Sequence, residues 1–373
     1  MRRLSTIYRL GVKELMSLRA DPVLLLLIVY TFTIAVYSVA TGAKTDVVNA
    51  AVGIVDEDRS QLSRRLVDAL QRPFFQPPVM LAAQEVDAAL DRGRFSFILD
   101  IPPDFQADLM AGRRPALQLD VDATAMSQAG NGAGYIASII AQETAVFTGT
   151  PAAAPPVALT LRTRFNPNLQ SSWFMALMQV INNVTLLAIV LSGAALIRER
   201  EHGTIEHLLV MPLEAIDIMC AKLWANGLVI VGAATLSLLL VVRWLLGIPI
   251  PGSIPLFVAA TVIYLFSVSS LGILLATVAR SMPQFGLLAI PVFIVMNLLS
   301  GGTTPLESMP AAMQAIMRLS PSTHYVALAQ AILNRGAGLA AIWPSLAVVT
   351  GLGAVFFILA LARFRRALAL AQG

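Results

Sequence analysis

Residues 173–197 read WFMALMQVINNVTLLAIVLSGAALI, and Arg198-Glu199-Arg200-Glu201 follow at once. As a helix this run is about 37 Å long at 1.5 Å per residue. That exceeds the roughly 30 Å hydrocarbon core of a bilayer. No charge interrupts it, and four charges end it. By the same measure five further stretches qualify: 23–40, 224–246, 256–279, 284–300 and 342–362. The first and fifth are short. The fifth has Pro283 at its start and Pro291 inside, which predicts a kink or a partly re-entrant course. The first is expected to be a retained span, not a signal peptide, because its apolar run is long and the 22 residues before it are themselves patterned. The expectation is an α-helical integral membrane protein with six transmembrane helices.

Composition agrees. Of 373 residues 57% are apolar and 13% charged, against roughly 45–50% and 25% in an average soluble domain. Disorder is excluded by the hydrophobicity, and so few charges could not build a water-facing surface. The single cysteine, Cys220, excludes an internal disulfide framework and a multi-cysteine zinc site.

The charges mark the aqueous parts. Arg2, Arg3, Arg9, Lys13 and Arg19 precede Val23, and eleven bases with fourteen acids fall between Lys44 and Arg164. The rest is nearly uncharged apart from a cluster at 198–217. Orientation follows from lysine and arginine in short loops. Alternate short segments carry twelve bases, including Arg198, Arg200, Lys222, Arg280, Arg363, Arg365 and Arg366, while the opposite ones carry only Arg243, Arg318 and Arg335. The twelve belong on the cytoplasmic side, with both termini.

The polar stretch between the first two spans then reads as an inserted extracytoplasmic α/β domain. Apolar runs at 50–55, 79–81, 95–101 and 117–121 predict strands. A helical period through Leu62, Leu66 and Leu70, a helix-like 84–92, a short helix after Pro103 and a longer one around 133–147 alternate with them. Residues 150–156 are a linker by composition, and 157–165 read as a last strand. Gly130, Gly132 and Gly134 lack a preceding apolar strand, so they read as a flexible turn and not as a dinucleotide fingerprint. Acids outnumber bases here, which argues against nucleic acid.

Embedded chemistry fares poorly. None of Lys13, Lys44 and Lys222 follows a glycine, so no Walker loop binds ATP. His202 and His207 are five apart, about 140° around a helix, and do not match the metal-binding H-E-x-x-H pattern. No Ser–Lys or Ser–His pair lies at matching depth for a covalent hydrolase. No catalytic or metal site is assigned.

The most informative segment is 197–213. After the charged turn, Gly203 breaks the helix, Thr204 is a good N-cap, and Glu206 lies in a first turn where the helix dipole favours a carboxylate. Ile205, Leu208 and Leu209 make an apolar face, and Pro212 ends it. So short a helix is unstable alone in water. It must dock on lipid or in a protein groove.

This segment resembles the E-R-E-x-G-T-x-E-x-L-x-x-x-P coupling motif of ABC type-2 exporter permeases. The match runs through Glu199, Arg200, Glu201, Gly203, Thr204, Glu206, Leu208 and Pro212, with departures at His207 and Met211. Lys13-Glu14, Asp21-Pro22 and the outer-loop run from Ser300-Gly301 to Pro321 agree with the family. A large domain after the first span is similar to the bacterial subgroup of drug and lipid-linked exporters.

The resemblance implies a permease subunit that moves an amphipathic or hydrophobic compound, drug-like or lipid-like, out of the cytoplasm or inner membrane. It implies a second permease (copy or paralogue) and separate ABC ATPase subunits that bind ATP and Mg, with no cofactor on this chain. A periplasmic adaptor protein and membrane lipid complete the expected partners.

The expected division is 1–22 amphipathic cytoplasmic helix, 23–40 first span, 41–171 periplasmic α/β domain, and 172–373 the remaining spans. The last part includes a coupling helix at 203–212 and an outer re-entrant gate or lid at 301–341. In the amino-terminal helix, Leu4, Ile7, Tyr8, Leu15 and Leu18 share a side, with Arg9 and Lys13 able to snorkel.

Gln179, Asn182, Asn183 and Asn297 are amides inside spans, which need a partner or a cavity. They either line a substrate path or make helix–helix hydrogen bonds. The competing functional class is a non-transporting membrane receptor or scaffold of the same plan, which would have no need of an ATPase-docking helix.

Overall fold

The computed structural model describes residues 2–42, 47, 49–122, 126–149, 170–201 and 214–372. The chain divides into two compact units, one of Met1–Gly42 with Ser172–Gly373 and one of Ala43–Ser171. Helix α1 (Arg2–Arg19) leads to α2 (Pro22–Phe32) and α3 (Ile34–Gly42). Asp21 caps α2, its carboxylate accepting from the Val23 and Leu24 amides at 3.1 Å, with Pro22 pre-set for the first turn.

The first predicted span is therefore two helices, broken at Thr33. Thr31 and Thr33 turn their hydroxyls back onto the carbonyls of Leu27 and Val29, a habit that bends helices. The carbonyls of Thr31 and Phe32, at the break, accept from Asn183 Nδ2 and Ser237 Oγ, each at 2.5 Å.

In the second unit β1 (Val52–Asp56), α4 (Gln61–Ala69), β2 (Val79–Met80), α5 (Val86–Asp91), β3 (Phe97–Ile101), α6 (Phe105–Met110), β4 (Gln118–Val121) and α7 (Met126–Thr148) follow in order. The sheet order is β2-β1-β3-β4, with β1 parallel to both neighbours and β4 antiparallel to β3. Successive strand residues face opposite sides. Ile54, Phe97, Leu99 and Ile101 thus pack with Leu62, Leu66, Phe105 and Ile136 on one face, and Val55 and Ile98 with Ala89 and Phe95 on the other. Arg65 pairs with Glu143 at 2.9 Å, joining α4 to α7.

Gly130, Gly132 and Gly134 are not a turn. They lie within α7, where a Cβ at Gly132 would collide with the Phe97 ring. The linker at 150–156 and the strand expected at 157–165 lie outside the described residues.

The first unit continues with α8 (Ser171–Glu201), α9 (Ala215–Leu236) running into a π-helical segment (Ser237–Leu245), α10 (Ile254–Val278), α11 (Met282–Leu298), α12 (Ala311–Met317), α13 (Pro321–Leu333) and α14 (Leu339–Gln372). Helix α8 is the buried centre. Glycines let its neighbours approach, as small residues do in membrane bundles. A Cβ at Gly272 of α10 would lie 2.8 Å from the Ile189 carbonyl oxygen, and one at Gly193 would meet the Phe285 ring.

Among the described residues five helical stretches are long and apolar enough to cross a bilayer: Pro22–Gly42, Ser171–Glu201, Ala215–Leu245, Ile254–Val278 and Leu339–Arg366. The chain is an integral membrane protein. Helix α11, with 17 residues and Pro291 inside, is shorter. The third predicted stretch begins earlier than the expected residue 224, because Lys222 is buried with partners and does not mark a helix end.

Two expectations are refined. Within 301–341, expected as an outer re-entrant gate or lid, the part 321–333 is not peripheral. Helix α13 belongs to the core of the bundle, with the Tyr325 ring stacked on Tyr264 at 3.8 Å and its hydroxyl 3.0 Å from Thr261 Oγ1. The apolar side expected for α1 is also divided. Ile7, Gly11, Glu14 and Leu18 turn towards α9, where Trp224 Nε1 donates to the Ile7 carbonyl at 3.2 Å and a Cβ on Gly11 would collide with the indole. Leu4 is 74% exposed instead, and Tyr8, though largely exposed, stacks its ring on Trp224 at 5.9 Å.

Replacing Gly272 tests the backbone contact. Gly272→Leu is expected to destabilise by about 1–3 kcal/mol through overpacking, seen as a lower melting temperature in detergent. Gly286→Leu, at a site where a Cβ meets nothing within 4 Å, should stay within about 0.5 kcal/mol of wild type.

Candidate functional site

The last turn of α8 gathers four charges, and successive helical residues point about 100° apart. Arg198, Glu199, Arg200 and Glu201 therefore reach different neighbours. Arg198 donates to Asp21 Oδ2 at 2.8 Å, binding the same carboxylate that caps α2. Glu199 Oε1 lies 2.9 Å from Lys222 Nζ on α9, and Glu14 of α1 lies 2.9 Å from the same nitrogen. Arg200 donates to the carbonyl of Ala279, the C-cap of α10, at 3.0 Å. Glu201 accepts the Met282 amide at 2.8 Å, at the start of α11, where an anion suits the helix dipole.

Helices α1, α2, α9, α10 and α11 thus all meet the end of α8. On the far side of segment 202–213, Glu214 pairs with Arg3 of α1, and its amide donates to Asp217 at 3.1 Å. The segment that carries the motif is held at both ends by the helical unit. The exposed pairs are individually weak, about 0–1 kcal/mol each, so their value here is positional. Of the eight motif residues, Glu199, Arg200 and Glu201 are placed by the structure. Gly203, Thr204, Glu206, Leu208 and Pro212 lie outside the described residues, as do His202 and His207.

Lys222 and Asp21 carry much of this arrangement and were not singled out as site residues from sequence. The available signal was a lysine at the head of the apolar run 223–242, since an ionisable residue against a span needs a partner.

The four amides do not form one group. Gln179 Nε2 donates to Asn183 Oδ1 at 2.9 Å, and Asn183 in turn donates to Thr31. Asn183 Nδ2 holds α8 to the break in the first span, while its Oδ1 is occupied by Gln179 of the same helix. Asn182 and Asn297 are half-buried and stand apart from that chain. Asn183→Leu should therefore lower the melting temperature, at about 0.6 kcal/mol per lost bond and up to roughly 2. Asn182→Leu should leave it unchanged in the same assay.

Comparison with known proteins agrees with this geometry. The family model described as ABC-2 family transporter protein matches residues 22–362. The chain is 52% identical over 368 residues to the inner membrane transport permease YhhJ of Escherichia coli K12, covering 98% of each chain. It is 30% identical over 370 residues, again 98% of each, to the probable multidrug ABC transporter permease YbhR of the same strain. A further relative, the probable multidrug ABC transporter permease YbhS, is 25% identical over 335 residues and 88% of each chain. With apolar helices long enough to span a bilayer, a charged helix end tied to four neighbours, and a family match across nearly its whole length, this chain is a membrane permease of the ABC-2 transporter family.

Proposed function

We propose that the chain is the permease subunit of an ATP-binding-cassette exporter, moving an amphipathic or hydrophobic compound, drug-like or lipid-like, outward from the cytoplasm or inner membrane. The observation that carries this reading is the end of α8: four consecutive charged side chains tie it to four other helices, and Lys222 adds α1 through Glu14. The four charges stand immediately before the segment that matches the coupling motif. A force applied to 202–213 would enter the bundle there. A receptor or scaffold has no use for such a junction.

In this reading ATP and Mg bind to separate ATPase subunits, and segment 203–212 seats in a groove of one of them. A second permease, copy or paralogue, completes the membrane part, and a periplasmic adaptor protein is a further partner. Helix α11 crosses the membrane as a sixth, kinked span. Both termini are cytoplasmic and residues 41–171 periplasmic, supported by the twelve-to-three distribution of basic residues. The exposed Leu4 and Met16 of α1 face lipid. Asn182 and Asn297 face the substrate path, while Asn183, with Gln179 bonded to it, serves as a lock between spans. The multidrug names of two relatives support a hydrophobic cargo.

Two measurements test this. Gly203→Val and Glu201→Ala should insert normally, Glu201→Ala losing about 1 kcal/mol with its hydrogen bond. ATP-dependent transport of the dye Hoechst 33342 into inverted vesicles should fall at least fivefold in both. Normal efflux in both variants would remove the coupling assignment. In spheroplasts, Met110→Cys should react with an impermeant maleimide while native Cys220 stays unlabelled. Shielding of position 110 would place the α/β unit inside.

A further inference from the structure

We propose that Lys222 is a positioning residue for coupling, tying α1 and α9 to the last turn of α8 so that displacement of segment 202–213 reaches three helices together. The proposal rests on the permease reading above.

The geometry is specific. The Lys222 side chain is 2% exposed, and its ammonium lies 2.9 Å from Glu14 Oε1, 2.9 Å from Glu199 Oε1 and 3.4 Å from the Ala195 carbonyl. An ammonium has three N–H bonds, and three acceptors are present. One comes from α1 and two from successive turns of α8, so Lys222 is saturated by elements other than its own. Glu199 stands three residues before segment 202–213, which places the junction at the point where force would arrive. Trp224, two residues after Lys222, already fixes α1 on α9 through the Ile7 carbonyl and the close approach at Gly11. The lysine joins that pair of helices to α8.

Stability alone does not call for this arrangement. A buried ion triad is often no more stabilising than well-packed apolar side chains of similar volume, and apolar neighbours abound, with Leu196, Ile197, Ile218 and Met219 all buried nearby in sequence. Apolar surfaces can slide past one another with little change in energy, because the hydrophobic effect is non-directional. Hydrogen-bonded charges cannot, because their strength falls steeply with distance and angle. The triad supplies register among three helices, which a transmitting junction needs and a static bundle does not.

The test uses the full-length permease reconstituted in lipid with its ATPase subunits and second permease. Its readout is the permease-dependent acceleration of ATP hydrolysis, so no transported compound is required. Lys222→Met alone would strand two buried carboxylates. The main variant is therefore the triple Glu14→Leu, Lys222→Met, Glu199→Leu, which removes all the charges together. Expected are a melting temperature at or above wild type, a complex of normal composition, and at least a fivefold loss of acceleration. Glu14→Gln, which keeps an acceptor oxygen in place, should retain at least half of it, while Glu14→Leu should not.

Full acceleration in the triple variant would overturn the proposal. So would a loss that appears only together with a lower melting temperature or failed assembly, which would mark the triad as structural. If the wild-type permease itself neither bound nor accelerated an ATPase, the permease reading would fall, a result separable from both of these.

Discussion

A helix that is apolar for most of its length and charged only at its end has to solve two problems at once. Lipid and protein can both cover the apolar part of α8, and the bundle covers nearly all of it. The charges of Arg198, Glu199, Arg200 and Glu201 need partners where the helix leaves the apolar region, since an uncompensated charge there is costly. Those partners come from four other helices, and Lys222 brings in α1 through Glu14. The positions of Asp21, Lys222, Ala279 and Met282 all follow from this demand, and the neighbouring helix ends are drawn together around one turn of backbone.

The same logic of satisfying polar groups governs the middle of the bundle. The first span breaks at Thr33, and Asn183 and Ser237 cover the carbonyls of Thr31 and Phe32 from two other helices. Ser237 is also the first residue of the π-helical segment, so irregular stretches of two spans meet at a shared hydrogen bond. Deeper in the core, Tyr264 and Tyr325 stack, and each hydroxyl finds a threonine, Thr185 at 2.7 Å and Thr261 at 3.0 Å. Polar side chains in these helices hold backbone breaks and helix crossings in place, and Asn183 belongs with them. The α/β unit is built differently, with apolar residues alternating across a four-stranded sheet and helices packed on both faces.

Sequence by itself determined a great deal. Apolar runs longer than a bilayer is thick can be stable in few other places, so the membrane class was legible from hydropathy alone. Short apolar runs at 50–55 and 95–101 disclosed the strands that form at 52–56 and 97–101, and the residues Glu199–Pro212 disclosed the family, because a local motif keeps its spacing whatever surrounds it. What only the tertiary structure decided was pairing. Lys222 read as a loop residue because charge ordinarily marks a helix end, and only the approach of Glu14 and Glu199 from 208 and 23 residues away lets it sit inside one. Whether Asn183 faces a path or a neighbour, whether 321–333 covers the bundle or completes it, and which side of α1 meets protein are likewise set by partners distant along the chain. Periodicity records that a side chain must be buried or bonded; the partner that satisfies it exists only once the helices have packed.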